Sequence, residues 1–266
     1  MDIFVLKIGG SILQKLPTDF YDVIVKLKKS GNVHPIIVHG GGPEINEALK
    51  NLNVKSEFVD GLRVTTKEVL EVAESVMSGT INKEIVTKLH QSGGTAIGLS
   101  GVDGALLKVE PVDASGKLGF VGDVKEVNSS WIKLIMENGA IPVISPIGMN
   151  ETGQHYNVNG DMAAAAVAEA LEAKLALISD IPGVMEEVSG KKIIHAKLTK
   201  AEIEEKIATG IIYGGMIPKV NSALKALTGG VKESVILNGL NPKDLEAYIE
   251  GQQVGTKIVI GEVQNV

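Results

Sequence analysis

Three consecutive glycines, Gly40-Gly41-Gly42, stand between an extended apolar run ending at Val38 and a proline able to open a helix, Pro43. With no side chains in the way, successive backbone N–H groups there can converge on an anion at a helix N-terminus. The same arrangement occurs earlier, where Ile3-Phe4-Val5-Leu6 reads as a strand and is followed by Lys7 and then Gly9-Gly10-Ser11. Either turn alone fits plain chain reversal. Together, with one headed by a lysine, they point to a phosphate or carboxylate site. A further glycine loop, Gly214-Gly215, runs into Met216-Ile217-Pro218-Lys219, with Pro218 in a first helical turn. A lysine at a helix N-terminus opposes the macrodipole and costs a few tenths of a kcal/mol to about 1 kcal/mol. That cost vanishes where lysine and dipole address one shared anion. Lys7 and Lys219 then describe two cations at strand and helix ends, where α/β sheets place their ligands.

Three more segments carry polar groups worth tracing. Arg63, in Asp60-Gly61-Leu62-Arg63-Val64-Thr65, is the only arginine among 26 Lys and Arg residues. Its planar fork grips a carboxylate in a way that lysine cannot reproduce, although drift in a lysine-rich chain explains it equally well. Asn157-Val158-Asn159-Gly160-Asp161 precedes an alanine-rich helix. Asp161 reads as an N-cap or as part of a polar site. Capping explains Asp161 alone, whereas a site explains both asparagines too, since alternate residues of a strand share one face. Ser179-Asp180-Ile181-Pro182-Gly183-Val184 reads as a turn at the carboxyl end of a strand, a position suited to nucleotide contacts.

Much is excluded. There is no G-x-x-x-x-G-K-[ST] and no G-x-G-x-x-G after a strand, hence no Walker A loop and no Rossmann fingerprint. His39-Gly40-Gly41-Gly42 imitates an esterase oxyanion loop, but the G-x-S-x-G elbow that such enzymes need is missing. No zinc or EF-hand spacing suggests a protein metal cage. The chain lacks cysteine, so disulfides and thiolate chemistry are out. A net charge of −6 and 3% aromatic residues argue against nucleic-acid and anionic-membrane surfaces. With no apolar run near the ~20 residues of a membrane span, and a strand beginning directly after Met1-Asp2, a cytoplasmic enzyme is expected.

These groups must be positioned by a scaffold, and 266 residues suffice for one large α/β domain or two lobes. Strands are expected at Ile3–Ile8, Pro35–His39, Thr95–Leu99, Ile141–Ser145, Leu175–Ser179, Ser234–Leu237 and Lys257–Ile260. Helical periodicity falls between them, at Phe20–Lys29, Glu44–Leu52, Lys67–Gln91, Ser130–Asn138, Asp161–Ala173, Ala201–Thr209 and Lys219–Leu227. Thr65 with Glu68, and Thr199 with Glu202, have capping-box spacing. Short β-branched runs separated by helices read as a mostly parallel sheet buried on both faces. Ala105–Val127 reads as a hairpin turning at 113–116, and Gly153–Val158 as an arm of another. A lobe division near Ala173 is expected.

Taken in order, Lys7-x-Gly-Gly, His39-Gly-Gly-Gly-Pro, Asp60-Gly-Leu-Arg-Val-Thr, Gly98-Leu-Ser-Gly-Val-Asp-Gly, Asn157-Val-Asn-x-Asp161, Ser179-Asp-x-x-Gly-Val and Gly215-Met-Ile-Pro-Lys219 resemble the amino acid kinase family. The Gly-Leu-Arg-Val-Thr and Asn-Val-Asn segments most resemble the members acting on N-acetyl-L-glutamate. The resemblance covers essentially the whole chain. It implies a three-layer α/β/α sandwich with a mostly parallel central sheet. Residues 1–173 would form a lobe for the acyl substrate and dimerisation, and 174–266 a lobe for ATP. It implies transfer from ATP, with Mg²⁺ held mainly through the nucleotide phosphates, to the γ-carboxylate, the second step of arginine biosynthesis. Carried over by position, Lys7 and Lys219 stabilise the transferring phosphoryl group and Asp161 holds both lysines. Gly41, Gly42, Arg63 and Asn157 bind the acyl substrate. Gly9, Gly10, Asp180, Ile181, Pro182, Gly183, Val184, Met185, Ile211, Ile212 and Tyr213 bind ATP. Arginine-inhibited members carry an extra helix before the first strand, for which this sequence leaves no room, so a homodimer without arginine feedback is expected. The rival expectations are a kinase for carrier-linked aminoadipate and a non-catalytic nucleotide-binding protein on the same fold.

Overall fold

The structure, a computed structural model, describes residues 2–113, 115–188, 191–214, 216–228, 230–231 and 233–261. Its first part runs β1 (Asp2–Ile8), α1 (Gly10–Leu13), α2 (Thr18–Lys29), β2 (Val33–His39), α3 (Gly42–Asn51) and a small hairpin of β3 (Phe58–Val59) and β4 (Leu62–Arg63). Next come α4 (Lys67–Glu74), a π-helical stretch at Ser75–Ile81, α5 (Asn82–Gln91) and β5 (Ala96–Ser100). The middle holds β6 (Leu107–Pro111), β7 (Val121–Val127), α6 (Ser129–Glu137), β8 (Ile141–Ser145), β9 (Ile147–Met149), β10 (His155–Val158) and α7 (Gly160–Ala170). The remainder is β11 (Lys174–Ser179), β12 (Met185–Val188), β13 (Lys191–Ile194), β14 (Lys197–Thr199), α8 (Lys200–Ala208), α9 (Met216–Thr228), β15 (Glu233–Asn238), α10 (Pro242–Ile249) and β16 (Thr256–Val259).

Eight of these strands form one sheet in the order β14-β16-β15-β11-β1-β2-β8-β5. All neighbours are parallel except β15 with β16, so the expected mostly parallel sheet is present. Strands drawn from before residue 173 make one half of it and strands from after that residue the other, joined where Phe4–Ile8 of β1 pairs with Lys174–Ile178 of β11. Side chains alternate between two cores. Val5, Ile36 and Val38 pack under α6, α7 and α9, while Leu6, Ile8 and Ile37 pack under α2, α5 and α10. Helices therefore cover both faces, giving the three-layer α/β/α sandwich. Lys7, two residues after Val5, lies on the α7 face at the carboxyl end of its strand.

The hairpin over 105–127 forms as β6 against β7, with Ala114 at its turn outside the described residues. With β9 and β10 it closes into a small four-stranded barrel beside the main sheet. Gly215 of the expected third glycine loop also lies outside the described residues. The capping box of Thr199 and Glu202 forms at α8. The other one does not. Thr66, not Thr65, caps α4, its hydroxyl oxygen accepting the Val69 N–H at 3.3 Å. Thr65 stays in extended backbone bridged to Gly119 and is fully buried. Among the described residues no helix is long and apolar enough to cross a membrane.

His39 closes β2 in complete burial. A carbonyl only accepts, so its Nδ1 carries the proton toward the Gly40 oxygen at 3.0 Å, and Nε2 accepts from the Asn82 amide at 3.3 Å. Desolvation pulls its pKa down to about 4. An unfolded histidine titrates near 6.5, so between those values only the unfolded chain takes up this proton. The His39 contribution is complete above pH 6.5 and is lost as pH falls toward 4. Urea unfolding at pH 7 and pH 5 should show about 2 kcal/mol of such loss. His39→Asn, at lower overall stability, should show correspondingly less pH dependence, and an identical decline in both proteins would assign it elsewhere.

Candidate active site

The carboxyl ends of β1 and β2 are adjacent, since Ile8 pairs with His39, and each strand turns immediately into glycine. The Gly40 N–H is spent extending the ladder to the Ile8 carbonyl at 2.9 Å, which leaves the amides of Gly41 and Gly42 at the start of α3. The two turns press on each other. A β-carbon on Gly10 would stand 2.7 Å from the Gly42 nitrogen and 2.9 Å from Pro43 Cδ. On Gly41 it would stand 2.6 Å from Ile81 Cδ1, because the π-helical stretch crowds Met77 and Ile81 against that residue. Glycine is needed here for close approach. Above the turns opens a cleft of about 200 Å³ lined by Lys7, Gly10, Gly40 to Gly42, Arg63, Asn157, Asn159 and Asp161, with Ile45, Leu62, Met77 and Val121 as apolar wall. The N-termini of α3 and α7 both border it, so two helix dipoles favour negative charge there.

The charged groups are tethered in pairs. Lys7 Nζ lies 2.5 Å from Asp161 Oδ1, and the Ser222 hydroxyl of α9 donates to Asp161 Oδ2 at 2.8 Å. Asp161 is available because Asn159 takes over the cap of α7, its side-chain oxygen accepting the N–H groups of Asp161 and Met162 at 2.9 and 3.3 Å. The capping alternative for Asp161 is thereby corrected. Lys219, in the first turn of α9, pairs with Asp180 at 2.8 Å rather than with Asp161. That lysine holds the Asp180 carboxyl below its ordinary range, through their hydrogen bond and opposite charge. The expectation of one carboxylate holding both lysines becomes two carboxylates holding one each. All four side chains line a second cavity of about 100 Å³ with Gly9 and Ser11, at the ends of β1 and β11.

Arg63 is 7% exposed, and burial lowers its pKa while leaving the guanidinium charged. It donates to the Ser56 hydroxyl and, at 3.3 Å, to the Gly42 carbonyl, with the Phe58 ring 4.6 Å from its central carbon. Among the described residues it forms no ion pair with a carboxylate. A buried, unpaired cation is costly unless an anion arrives to complete it. The β3–β4 turn that carries it is tight, with Asp60 and Gly61 both at positive φ. Asn157, on β10, donates its amide to Thr65 Oγ1 at 3.2 Å.

Lys7, Gly10, Gly41, Gly42, Arg63, Asn157 and Asp161 thus share one cleft, and Gly9, Asp180 and Lys219 share the adjoining cavity with Lys7 and Asp161. Ile181 to Met185 and Ile211 to Tyr213 line neither. Val184 and Ile212 are core side chains, and the Val184 N–H is taken by the Thr256 hydroxyl at 2.8 Å, whereas Tyr213 is 73% exposed. Sequence reasoning missed Ser222 and gave Thr65 the wrong task. For Ser222 a signal existed, since it stands three residues after Lys219 on the same face of α9.

The family model of the amino acid kinase family matches residues 2–238. The acetylglutamate kinase of Oceanobacillus iheyensis is 59% identical over 266 residues, covering all of both chains. That of Syntrophomonas wolfei is 45% identical, covering 96% of this chain and 90% of the relative. The crystal structure of smu.665 from Streptococcus mutans UA159 matches with a TM-score of 0.81 at 34% identity, covering 97% of this chain and 98% of that one.

Gly10→Ala should be the harsher of the two glycine substitutions, because its β-carbon meets backbone where that of Gly41→Ala meets movable side-chain ends. The expected result is a stability loss of about 1–3 kcal/mol and a turnover about a hundredfold lower through misplacement. Thermal melts and steady-state rates of both variants check it. A Gly10→Ala protein milder than Gly41→Ala would contradict the packing.

Proposed function

The chain belongs to the amino acid kinase family, and we propose that it transfers the γ-phosphoryl group of ATP to the γ-carboxylate of N-acetyl-L-glutamate, in arginine biosynthesis. The products are ADP and N-acetyl-L-glutamyl 5-phosphate. The observation that carries this reading is the buried Arg63, without a carboxylate partner among the described residues, lining the same cleft as Lys7. Such a cleft suits a ligand with two anionic ends, one gripped and one reacting.

A carboxylate is ionised at neutral pH and needs no general base. Its oxygen attacks the γ-phosphorus as the bond to the ADP oxygen breaks. What remains is to align two anions and to neutralise charge on the equatorial oxygens. Lys7, steadied by Asp161, and Lys219, lent by Asp180, serve that need, with the amides at the start of α3. Gly41 and Gly42 lie beside the reacting end, and Arg63 with Asn157 takes the α-carboxylate end. The nucleotide would lie over the ends of β11 and β15, its polyphosphate toward Gly9, Gly10 and Lys219. Asp161 and Asp180 are each already paired with a lysine, a donor set that fits Mg²⁺ carried on the nucleotide phosphates, where it would supply further charge neutralisation.

The lining also speaks to the blocked amine. Among the described residues that line it, Asp161 is the one carboxylate, occupied by Lys7 and Ser222. Free glutamate would bring an ammonium group that finds no counter-charge. An acylated amine brings none, and its methyl group has Ile45, Leu62, Met77 and Val121 to pack against.

Hydroxylamine trapping of acyl phosphate, with MgATP and either N-acetyl-L-glutamate, glutamate, aspartate or aminoadipate, should give a strong signal with the first alone. Silence across the panel with ATP still bound would sink the proposal. In the same assay Lys7→Ala and Lys219→Ala should lower kcat on the order of 10²–10³-fold. Arg63→Lys should chiefly raise KM for the acyl substrate. A change confined to KM in the lysine variants would remove them from the phosphoryl group.

A further inference from the structure

Thr65 matches a helix-capping pattern yet caps nothing, and its hydroxyl is buried where no solvent needs it. That hydroxyl has one proton, which it donates to the Arg63 carbonyl at 2.9 Å. Toward Asn157 it can then only accept, and it does so from Nδ2 at 3.2 Å. The orientation of the Asn157 amide follows: its nitrogen faces Thr65, while Oδ1 and one amide proton remain for the cleft that Asn157 lines. The main chain repeats the link. The Phe120 N–H donates to the Thr65 carbonyl at 2.7 Å, and the Asn157 N–H donates to the Phe120 carbonyl at 2.9 Å. Thr65, Phe120 and Asn157 are therefore closed into a ring of three hydrogen bonds. Gly119 permits it, since a β-carbon there would stand 2.3 Å from the Thr65 oxygen.

We propose that Thr65 is a positioning residue for the acyl substrate, fixing the amide orientation of Asn157 and the backbone of Arg63 through one buried hydroxyl. This rests on the reading that Arg63 and Asn157 hold that substrate. Without the hydroxyl, the Asn157 amide loses what distinguishes its two ends and the Arg63 carbonyl loses its donor. Among the described residues the phosphoryl-transfer groups Lys7, Asp161 and Lys219 share no hydrogen bond or ion pair with Thr65, so the effect falls on acyl-substrate affinity.

The test compares Thr65→Val, which keeps shape and removes the hydroxyl, with Thr65→Ser, which keeps the hydroxyl. Calorimetric binding of N-acetyl-L-glutamate and steady-state kinetics are read for both and for the wild-type protein. Thr65→Val is expected to raise Kd and KM for N-acetyl-L-glutamate about tenfold, with KM for ATP within about twofold, and Thr65→Ser to restore most of the affinity. Wild-type affinity in Thr65→Val overturns the proposal, as does a Thr65→Ser protein as weak as Thr65→Val, which would make the methyl group responsible. A wild-type protein that does not bind N-acetyl-L-glutamate overturns the underlying function first. Should Thr65→Val fail to fold, the wild-type protein carries the test. One Asn157 side-chain amide proton, identified by its loss in Asn157→Asp, should exchange slowly with solvent, and fast exchange of both protons refutes the bond.

Discussion

Backbone meets backbone at Gly10 and Gly42, leaving no room for a β-carbon on Gly10. That contact is the constraint on which the site depends. Two neighbouring parallel strands ordinarily diverge into helices whose bulk keeps their first turns apart. Here both strands end in residues without β-carbons, so the start of α3 settles against the turn after β1. Lys7, fixed to the same strand one residue before its end, thereby lines the same cleft as Gly41 and Gly42. The π-helical stretch pressing Met77 and Ile81 on Gly41 closes the arrangement from behind.

Around that contact the charged side chains lining the two cavities are, but for one, paired with each other. Each lysine rests on its own carboxylate, and Asp161 is steadied from a second element by Ser222. Arg63 is the exception, and its incompleteness distinguishes the cleft from an ordinary ion-pair network. A protein that needed only stability would have paired or removed it.

Much of this was legible in the sequence. The parallel sheet followed from β-branched runs separated by helical periodicity, and glycine turns after strands located the cleft, because turn chemistry and period are local properties. The cap expected at Thr65 fails, and the polar-site reading of Asp161 prevails over its cap, for related reasons. Thr65 and Thr66 differ only in which one the neighbouring loop at Gly119 claims, and Asn159 outcompetes Asp161 for the α7 amides because Lys7 claims the aspartate. Both outcomes are decided by residues distant in sequence. The same holds for the division of Lys219 and Lys7 between two carboxylates. Ile181 to Met185 and Ile211 to Tyr213 lie outside both cavities, and the side chains of Val184 and Ile212 are spent on the core.

The junction between the two halves of the sheet has a mechanical consequence. It is a hydrogen-bonded ladder, residue against residue from Phe4 with Lys174 to Ile8 with Ile178, and not a linker. The carboxylate that steadies Lys7 and the one that lends Lys219 come from chain segments before and after that junction and meet in one cavity. The two halves are therefore joined by main-chain hydrogen bonds across one continuous sheet, so a shift of one half against the other is borne by paired strands and not by a free connector.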